Sequence, residues 1–220
     1  MPGRWRISRA IFNGMLHKEI LTAEQLALLP FIRQFAKEYY LVGGTAIALY
    51  LGHRRSLDFD LFTLRPLKRK RIRRMLEASH FPLSDVIYEA ADQFHILVNG
   101  VKMTFFQYPY EIEHLTDFEQ IISLPVLLDL AAMKAYALGG RAKWKDYVDL
   151  YFLLKDHFRF QEIAQRAKDL FGNFFNAKLF REQLGYFKDI DYREAVEYMG
   201  NMVEEQTIQD FLGNAALTPF

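Results

Sequence analysis

The sequence predicts an α+β fold in which a small mixed sheet occupies the first half of the chain and helices alone make up the second half. Short apolar or alternating runs, which are typical of strands, occur before Pro109, and helical periodicity follows it. An apolar fraction of 51% indicates a folded core rather than a disordered chain. We therefore predict an α+β domain at residues 1–115 and a helical domain at residues 116–220.

Local signals justify the elements of the first half. Residues 7–38 are predicted to be helical with a break near Pro30, and Thr22 followed by Glu24 and Gln25 is a typical helix start. Asn99-Gly100 predicts a tight hairpin turn. The other predicted elements are a strand at 39–42, a helix at 45–51 ended by Gly52, a strand at 56–64, a helix at 66–79, and strands at 84–89, 93–98 and 101–108.

The second half shows helical periodicity throughout. The predicted helices cover residues 124–139, 143–157, 160–171, 176–185, 192–204 and 206–213. The region resembles a bundle in which several helices share one apolar core.

The amino-acid composition excludes several classes of protein. The chain has no cysteine, which excludes disulfides and thiolate chemistry, and its six histidines lack the spacing of a zinc site. No apolar run approaches the roughly 20 residues of a membrane-spanning helix. The first residues also lack the apolar core of a secretion signal. We expect a cytoplasmic protein without a membrane partner.

Two aspartates on one predicted strand form the first candidate site. Side chains alternate along a strand, so Ser56, Asp58 and Asp60 are expected to share a face, with neighbouring positions about 7 Å apart. Two carboxylates on one face repel each other unless a cation neutralises them. This spacing suits Mg²⁺, or Mn²⁺ in its place. A solvated polar strand face is the alternative.

A glycine pair precedes this strand. Gly43, Gly44 and Thr45 lie between a predicted strand and a predicted helix, where free N–H groups at the helix start bind phosphate oxygens. The glycine pair alone is weak support, since no Gly-Lys-Ser/Thr sequence follows as in a P-loop. Its position before the acidic strand predicts a site for a metal–nucleotide complex.

The helices at 124–157 carry the second candidate site. Lys134 falls on an apolar stripe with Leu127 and Leu138, although most lysines lie on solvated faces. Asp146 and Asp149 lie on a nearly apolar helix and need cationic partners, for which Lys134, Arg141 and Lys145 are candidates. A triphosphate-binding lysine and a purely structural salt-bridge network both remain open.

The predicted helix at 66–79 is strongly basic. Its cations are expected to bind a polyanion such as RNA, with a merely solvated surface as the alternative. The candidate RNA-binding residues are Lys68, Arg69, Arg71 and Arg73.

These motifs together resemble a known family. GGTAIALYLG at 43–52, RSLDFDLF at 55–62 and a later K-x6-R-x3-KD-x2-D resemble the AbiEii/AbiGii-type toxins of the polymerase-β-like nucleotidyltransferase superfamily. The resemblance spans about residues 39–155. It implies a polymerase-β-like nucleotidyltransferase core followed by a helical bundle. The implied reaction is transfer of a nucleoside monophosphate from an NTP, in relatives to a tRNA 3′ end, within toxin–antitoxin or phage-defence systems.

The resemblance also implies residue roles. Gly43, Gly44, Thr45 and Ser56 would bind the nucleotide, and Asp58 and Asp60 would hold the metal. Lys134 and Asp146 would assist binding and transfer. A cognate antitoxin is an implied partner.

One departure from the superfamily concerns a third carboxylate on a later strand. In the corresponding strand, Lys102, Thr104 and Phe106 share a face and none is acidic. Asp92, Glu89 and Glu111 are possible substitutes, although none lies at the expected position. The sequence therefore leaves open a small-molecule adenylyltransferase of the aminoglycoside-modifying type and a non-catalytic nucleotide-binding module. It does not identify the NTP or the acceptor.

Overall fold

A computed structural model describes residues 14–81, 83–140 and 142–217. The strands are β1 Tyr40–Val42, β2 Phe59–Thr63, β3 Leu83–Glu89, β4 Gln93–Val98, β5 Val101–Gln107, β6 Thr116–Phe118 and β7 Ile122–Leu124. The helices are α1 Ala23–Ile32, α2 Gly43–Leu51, α3 Arg69–Glu77, α4 Leu127–Leu138, α5 Trp144–Asp156, α6 Phe160–Phe171, α7 Ala177–Leu184 and α8 Glu205–Leu217. Short 3₁₀ turns occur at Lys18–Ile20, Arg33–Phe35 and Gly172–Phe174.

The main sheet is mixed and has the strand order β1-β2-β5-β4-β3. Strands β2 and β5 run parallel, and the other neighbours are antiparallel. One row of paired residues crosses the whole sheet, and its members are Val42, Asp60, Thr104, His95 and Tyr88. Because side chains on paired residues share a face, this row defines what we call the front face.

The opposite, back face of the sheet is apolar and covered. Its central residues are fully buried, namely Phe59, Leu61, Phe94, Ile96, Met103 and Phe105. Phe35 packs edge-on against Phe105, with ring centroids 5.0 Å apart. The guanidinium of Arg73 on α3 lies 4.8 Å from the ring centre of Phe94. On this face the 3₁₀ turn at Arg33–Phe35 and helix α3 pack against the sheet.

The two halves of the chain share one hydrophobic core. Helix α2 packs on α4 and α5, and strand β7 packs against β1. The Tyr50 hydroxyl donates a hydrogen bond of 2.9 Å to the Pro125 carbonyl. The division at residues 115 and 116 stays a prediction.

Two predictions about the second half were wrong. Residues 116–124 contribute the small antiparallel pair β6 and β7, so the region after Pro109 is not purely helical. Residues 192–204 form no helix, because their backbone groups bond to another segment. The amide of Arg55 donates to the Glu197 carbonyl, and the amide of Met199 donates to the carbonyl of His53.

Two further boundaries differ in the first half. Strand β2 begins at Phe59 rather than residue 56, because side chains of α1 and α2 bind the backbone carbonyls before it. The predicted break near Pro30 falls later: Pro30 lies inside α1, and the helix passes into a 3₁₀ turn only at Arg33. Residues 7–13 of the predicted helical region lie outside the described residues.

In the described ranges, no helix is long and apolar enough to cross a bilayer.

The predicted start of α1 is confirmed. The Thr22 hydroxyl accepts a hydrogen bond of 3.2 Å from the Gln25 amide, and the Gln25 side chain accepts one of 3.1 Å from the Thr22 amide. This reciprocal capping box satisfies two backbone donors that the helix itself leaves unpaired.

Removing the cap should destabilise the fold. We expect Thr22→Ala to lower the free energy of unfolding by about 0.5–2 kcal/mol, because the Gln25 amide loses its acceptor. Thr22→Ser retains the hydroxyl and should stay close to the wild type. Urea unfolding followed by circular dichroism compares the three proteins, and equal midpoints for Ala and wild type would contradict the assignment.

Candidate active site

The first part of the site is the turn between β1 and α2. Helix α2 begins at Gly43, and its N-cap residue, Val42, makes no side-chain hydrogen bond to the first amides. Gly43 has φ +75°, and a Cβ built on it would lie 2.2 Å from the Asp60 Oδ2. The position therefore requires glycine twice over, for its backbone conformation and for the close approach of the carboxylate.

Gly44 is equally crowded. A Cβ there would lie 2.6 Å from an Arg54 Nη2 and 3.1 Å from the Ser56 Oγ. The structure thus brings Gly43, Gly44, Ser56 and Asp60 together. The Arg54 guanidinium therefore lies beside the start of α2, where the positive end of the helix dipole favours an anion.

Thr45 serves this turn through its side chain. Its hydroxyl is buried and donates to the Asp58 carbonyl. The Ser56 carbonyl accepts from the Gln25 Nε2 at 2.8 Å. These bonds hold the segment before β2 against α1 and α2. The hydroxyl of Thr45 therefore fixes that segment. The backbone amide of Thr45 belongs to the first turn of α2.

The two aspartates differ in their surroundings. Asp60 lies in β2, paired between Val42 and Thr104, and its carboxylate contacts the Gly43 backbone. Asp58 directly precedes β2, and its side chain is 42% exposed. The Lys102 ammonium lies 3.6 Å from the Asp58 Oδ2. A lysine therefore approaches the acidic pair from β5, the strand on which the superfamily pattern has its third carboxylate.

None of the possible substitutes joins the acidic pair. Within the described ranges there is no cluster of three or more acidic, histidine or cysteine side chains that could hold a metal. Glu89 instead pairs with Arg73 at 2.6 Å and with Arg69 at 3.5 Å.

The two carboxylates of Asp58 and Asp60 are sufficient protein ligands for Mg²⁺. Mg²⁺ is commonly bound by one or two protein carboxylates, with water and substrate phosphate completing its octahedron. Asp58 and Asp60 provide such a donor pair beside amides that can receive the phosphate. The residues present therefore fit a magnesium ion that arrives with a nucleotide.

Behind the glycine turn lies a buried ion cluster. The Lys134 Nζ lies 2.6 Å from the Asp146 Oδ1 and 2.8 Å from the Asp149 Oδ2. Arg54 donates to both oxygens of Asp149, from Nε at 2.7 Å and from Nη2 at 2.9 Å. His53 Nε2 lies 2.8 Å from the Asp149 Oδ1. Asp149 thus joins α4, α5 and the segment after α2.

Charge compensation determines the protonation of this cluster. Burial disfavours the charged form of Asp149 and so raises its pKa. The positive charges of Arg54 and Lys134 have a larger, opposite effect and hold the pKa of Asp149 well below its usual range. Burial opposes the charged form of Lys134, yet Asp146 and Asp149 raise its pKa. The formal charges of the two cations and two carboxylates cancel when His53 is neutral.

Part of this cluster was predictable from the sequence. Lys134 is the partner of Asp146 and Asp149, as one alternative proposed, whereas Lys145 pairs with Glu194 at 3.4 Å. Arg141 lies outside the described residues. Arg54 and His53 were not recognised as members. The side chain of Lys134 is only 6% exposed, so contact with a triphosphate requires its ion pairs to open.

The predicted basic surface is largely neutralised. Lys68 and Arg71 pair with Glu38, and Arg69 and Arg73 pair with Glu89. Glu89 is paired with Phe94 in the sheet and so belongs to the back face. Helix α3 therefore lies on the side of the sheet opposite to Asp60, although four cations still outnumber two glutamates.

The mixed sheet and its surrounding helices have the fold of known nucleotidyltransferases. The profile of the family described as "Nucleotidyl transferase AbiEii toxin, Type IV TA system" matches residues 31–214. The chain belongs to this family of nucleotidyltransferase toxins of toxin–antitoxin systems. The resemblance seen in the sequence is thereby confirmed.

The chain is also similar to individual proteins. An uncharacterized protein of Aquifex aeolicus strain VF5 is 32% identical over 191 residues, covering 80% of this chain and 89% of the relative. A nucleotidyltransferase structure from H. pylori, described as putative, has a TM-score of 0.57 at 16% identity and covers 88% and 91% of the two chains. The nucleotidyltransferase toxin MenT4 of Mycobacterium tuberculosis has a TM-score of 0.59 at 12% identity, with coverages of 87% and 81%.

The buried histidine predicts a pH dependence of stability. Burial lowers the pKa of His53 below its ordinary 6.5, more than its bond to Asp149 raises it, and its Nδ1 has no hydrogen-bond partner among the described residues. The unfolded chain therefore takes up this proton at a higher pH than the folded protein does. The stability from neutral His53 is present above pH 6.5 and is lost as the pH falls below it.

We expect the free energy of unfolding to fall as the pH is lowered from 7.5 to 5.5. It should fall less in His53→Gln, because the glutamine amide still bonds Asp149 but does not titrate. Urea titrations at both pH values measure this difference. Burial also lowers the pKa of His95 and His114, so a residual slope should remain. An identical slope in the two proteins would count against the role of His53.

Proposed function

We propose that the protein transfers a nucleoside monophosphate from an NTP to an RNA acceptor, with a tRNA 3′ end as the favoured substrate, and that it requires Mg²⁺ or Mn²⁺. One observation carries the proposal: the Asp60 carboxylate contacts Gly43 at the uncapped start of α2, with Asp58 two residues away. A carboxylate pair and free helix amides at one point are the parts that hold a metal-bound triphosphate.

The reaction assigns a role to each part. The amides of Gly43, Gly44 and Thr45 bind phosphate oxygens, and the Ser56 hydroxyl adds a side-chain contact. Asp58 and Asp60 hold the metal, which when bound neutralises charge on the phosphates. The acceptor hydroxyl oxygen bonds to the α-phosphorus, the bond from that phosphorus to the β-phosphate oxygen breaks, and pyrophosphate leaves. The hydroxyl proton passes to water.

Lys134 and Asp146 enter the proposal as positioning residues. Their side chains are buried and paired with each other, and Lys134 also binds Asp149, the partner of Arg54. Arg54 in turn lies against Gly44. The cluster therefore fixes the glycine turn from behind, and the Arg54 guanidinium is the member of it that lies beside Gly44.

The cellular setting follows from the family. A toxin–antitoxin system supplies a cognate antitoxin, and we propose that this toxin acts in the cytoplasm, where NTPs and tRNA occur. The basic helix α3 would contact acceptor phosphates beyond the sheet edge, through Lys68, Arg69, Arg71 and Arg73. Its excess of cations over its two glutamate partners supports this contact.

The acidic pair provides the first test. We expect Asp58→Asn and Asp60→Asn each to reduce Mg²⁺-dependent transfer by about 10²-fold or more, because a preorganised charge at the reacting phosphate is lost. Stability without Mg²⁺ should hold, since removing one carboxylate relieves repulsion. Labelled NTPs, total tRNA and thermal unfolding provide the measurements.

Asp92→Asn is the matched control, because Asp92 lies in the turn between β3 and β4. It should retain full activity. Full transfer by both active-site variants, together with a loss of stability, would show that the aspartates are structural.

The basic helix provides the second test. Lys68→Gln with Arg71→Gln should weaken RNA binding across sequences and reduce its salt dependence, by about 0.7 in the log–log slope for each single-strand phosphate that the protein no longer neutralises. Affinity for NTP should stay unchanged. Filter binding at several salt concentrations measures both quantities.

A double variant elsewhere controls for net charge. Lys168→Gln with Lys178→Gln removes the same charge from exposed positions in the helical half and should leave RNA binding unaltered. Equal RNA binding by all three proteins would reduce α3 to a solvated surface and would favour a small-molecule acceptor.

A further inference from the structure

An aromatic pair on the front face of the sheet has no role in the nucleotide site. Tyr88 and His95 are cross-strand partners on β3 and β4, with ring centroids 5.3 Å apart. They belong to the same row as Asp60 and Thr104. This row leads from the acidic pair to the outer edge of the sheet.

The spacing of the strands sets the distance between Asp60 and the aromatic pair. Neighbouring strands lie about 4.8 Å apart, so His95 is about 10 Å and Tyr88 about 14 Å from Asp60 along the row. The last two nucleotides of an unpaired strand span such a distance. A strand whose terminal hydroxyl lies at the acidic pair would therefore carry its preceding base over the aromatic pair.

Tyr88 is accessible to solvent, and a hydrogen bond holds the ring of His95 in place. Tyr88 is 50% exposed, which leaves a ring face available to a ligand. The His95 Nε2 lies 3.1 Å from the Gln93 Oε1, which fixes the imidazole ring. Irregularities in the β3–β4 register flank Tyr88 and Asp85, and bulges of this kind redirect side chains near functional sites.

A cation lies on β5, the strand between β2, which carries Asp60, and β4, which carries His95. Lys102 projects from β5, two residues before Thr104, and its ammonium reaches Asp58 at 3.6 Å. Its side chain is 36% exposed, so the same ammonium is open to a phosphate that crosses the sheet. Aromatic faces combined with a nearby cation are the usual elements of single-strand binding.

We propose that Tyr88, His95 and Lys102 form an acceptor subsite that stacks the base preceding the 3′ terminus of an unpaired RNA strand. The proposal rests on the proposed function, because it takes the reacting hydroxyl to lie at Asp58 and Asp60. It adds the requirement that the acceptor end be single-stranded, since a base inside a duplex exposes no ring face for stacking.

The test separates stacking from general damage to the strand. The probes are an eight-nucleotide RNA labelled at its 5′ end and the same strand annealed to its complement. Fluorescence anisotropy without NTP compares wild type, Tyr88→Ala, Tyr88→Phe and Ile87→Ala. Ile87 is the matched control, because it is the neighbouring residue and is 49% exposed.

Stacking predicts a specific pattern. Tyr88→Ala should weaken single-strand binding by about 5- to 100-fold. Tyr88→Phe and Ile87→Ala should bind as the wild type does, and duplex binding should be equal in all four proteins. In transfer assays, Tyr88→Ala should raise KM for the acceptor and leave kcat and the KM for NTP unchanged.

Other outcomes overturn the inference. Unchanged single-strand binding by Tyr88→Ala, or an equal loss in Ile87→Ala, would exclude a stacking site at Tyr88. If the wild type transfers to RNA and Tyr88→Ala does so equally well, the subsite fails and the proposed function stands. If single-strand binding depends on Tyr88 but no labelled NTP is transferred, the proposed function fails and a nucleic-acid-binding surface remains.

Discussion

The bonds of Asp149 are the constraint on which the site depends. A fully buried carboxylate is unfavourable by itself, and here three side chains from two other parts of the chain compensate it. Through Arg54 the carboxylate fixes the segment between α2 and β2, which carries Ser56 and Asp58. Through Lys134 it fixes α4 against α5. The glycine turn therefore rests on a rigid, electrically balanced base.

The sheet separates stability from chemistry by its two faces. Aromatic and aliphatic side chains close the back face beneath the 3₁₀ turn at Arg33–Phe35 and helix α3, where they remove apolar surface from water. The front face keeps Asp60, His95 and Tyr88 in one row. Because neighbouring residues on a strand point in opposite directions, the same five strands supply both surfaces without conflict.

Local signals made much of this predictable from the sequence. The capping box at Thr22, the glycine turn and the alternating aspartates each depend on residues within a few positions of one another. Pairings over long distances were not predictable: Arg54 and Asp149 lie 95 residues apart, and nothing in either neighbourhood indicates the other. The segment at 192–204 was taken for a helix for the same reason, since its hydrogen-bond partners lie near Arg55. The neutralisation of α3 by Glu38 and Glu89 is likewise a tertiary effect.

The contact between Arg55 and Glu197 has a consequence for synthesis of the protein. Its two residues are 142 positions apart, and the Arg55 amide also bonds the Glu197 carbonyl. During translation the segment before β2 emerges long before its partners at Asp149 and Glu197 exist. The nascent chain therefore carries both aspartates of the site without the supports that orient them. The segment before β2 therefore gains these supports only after Glu197 has left the ribosome.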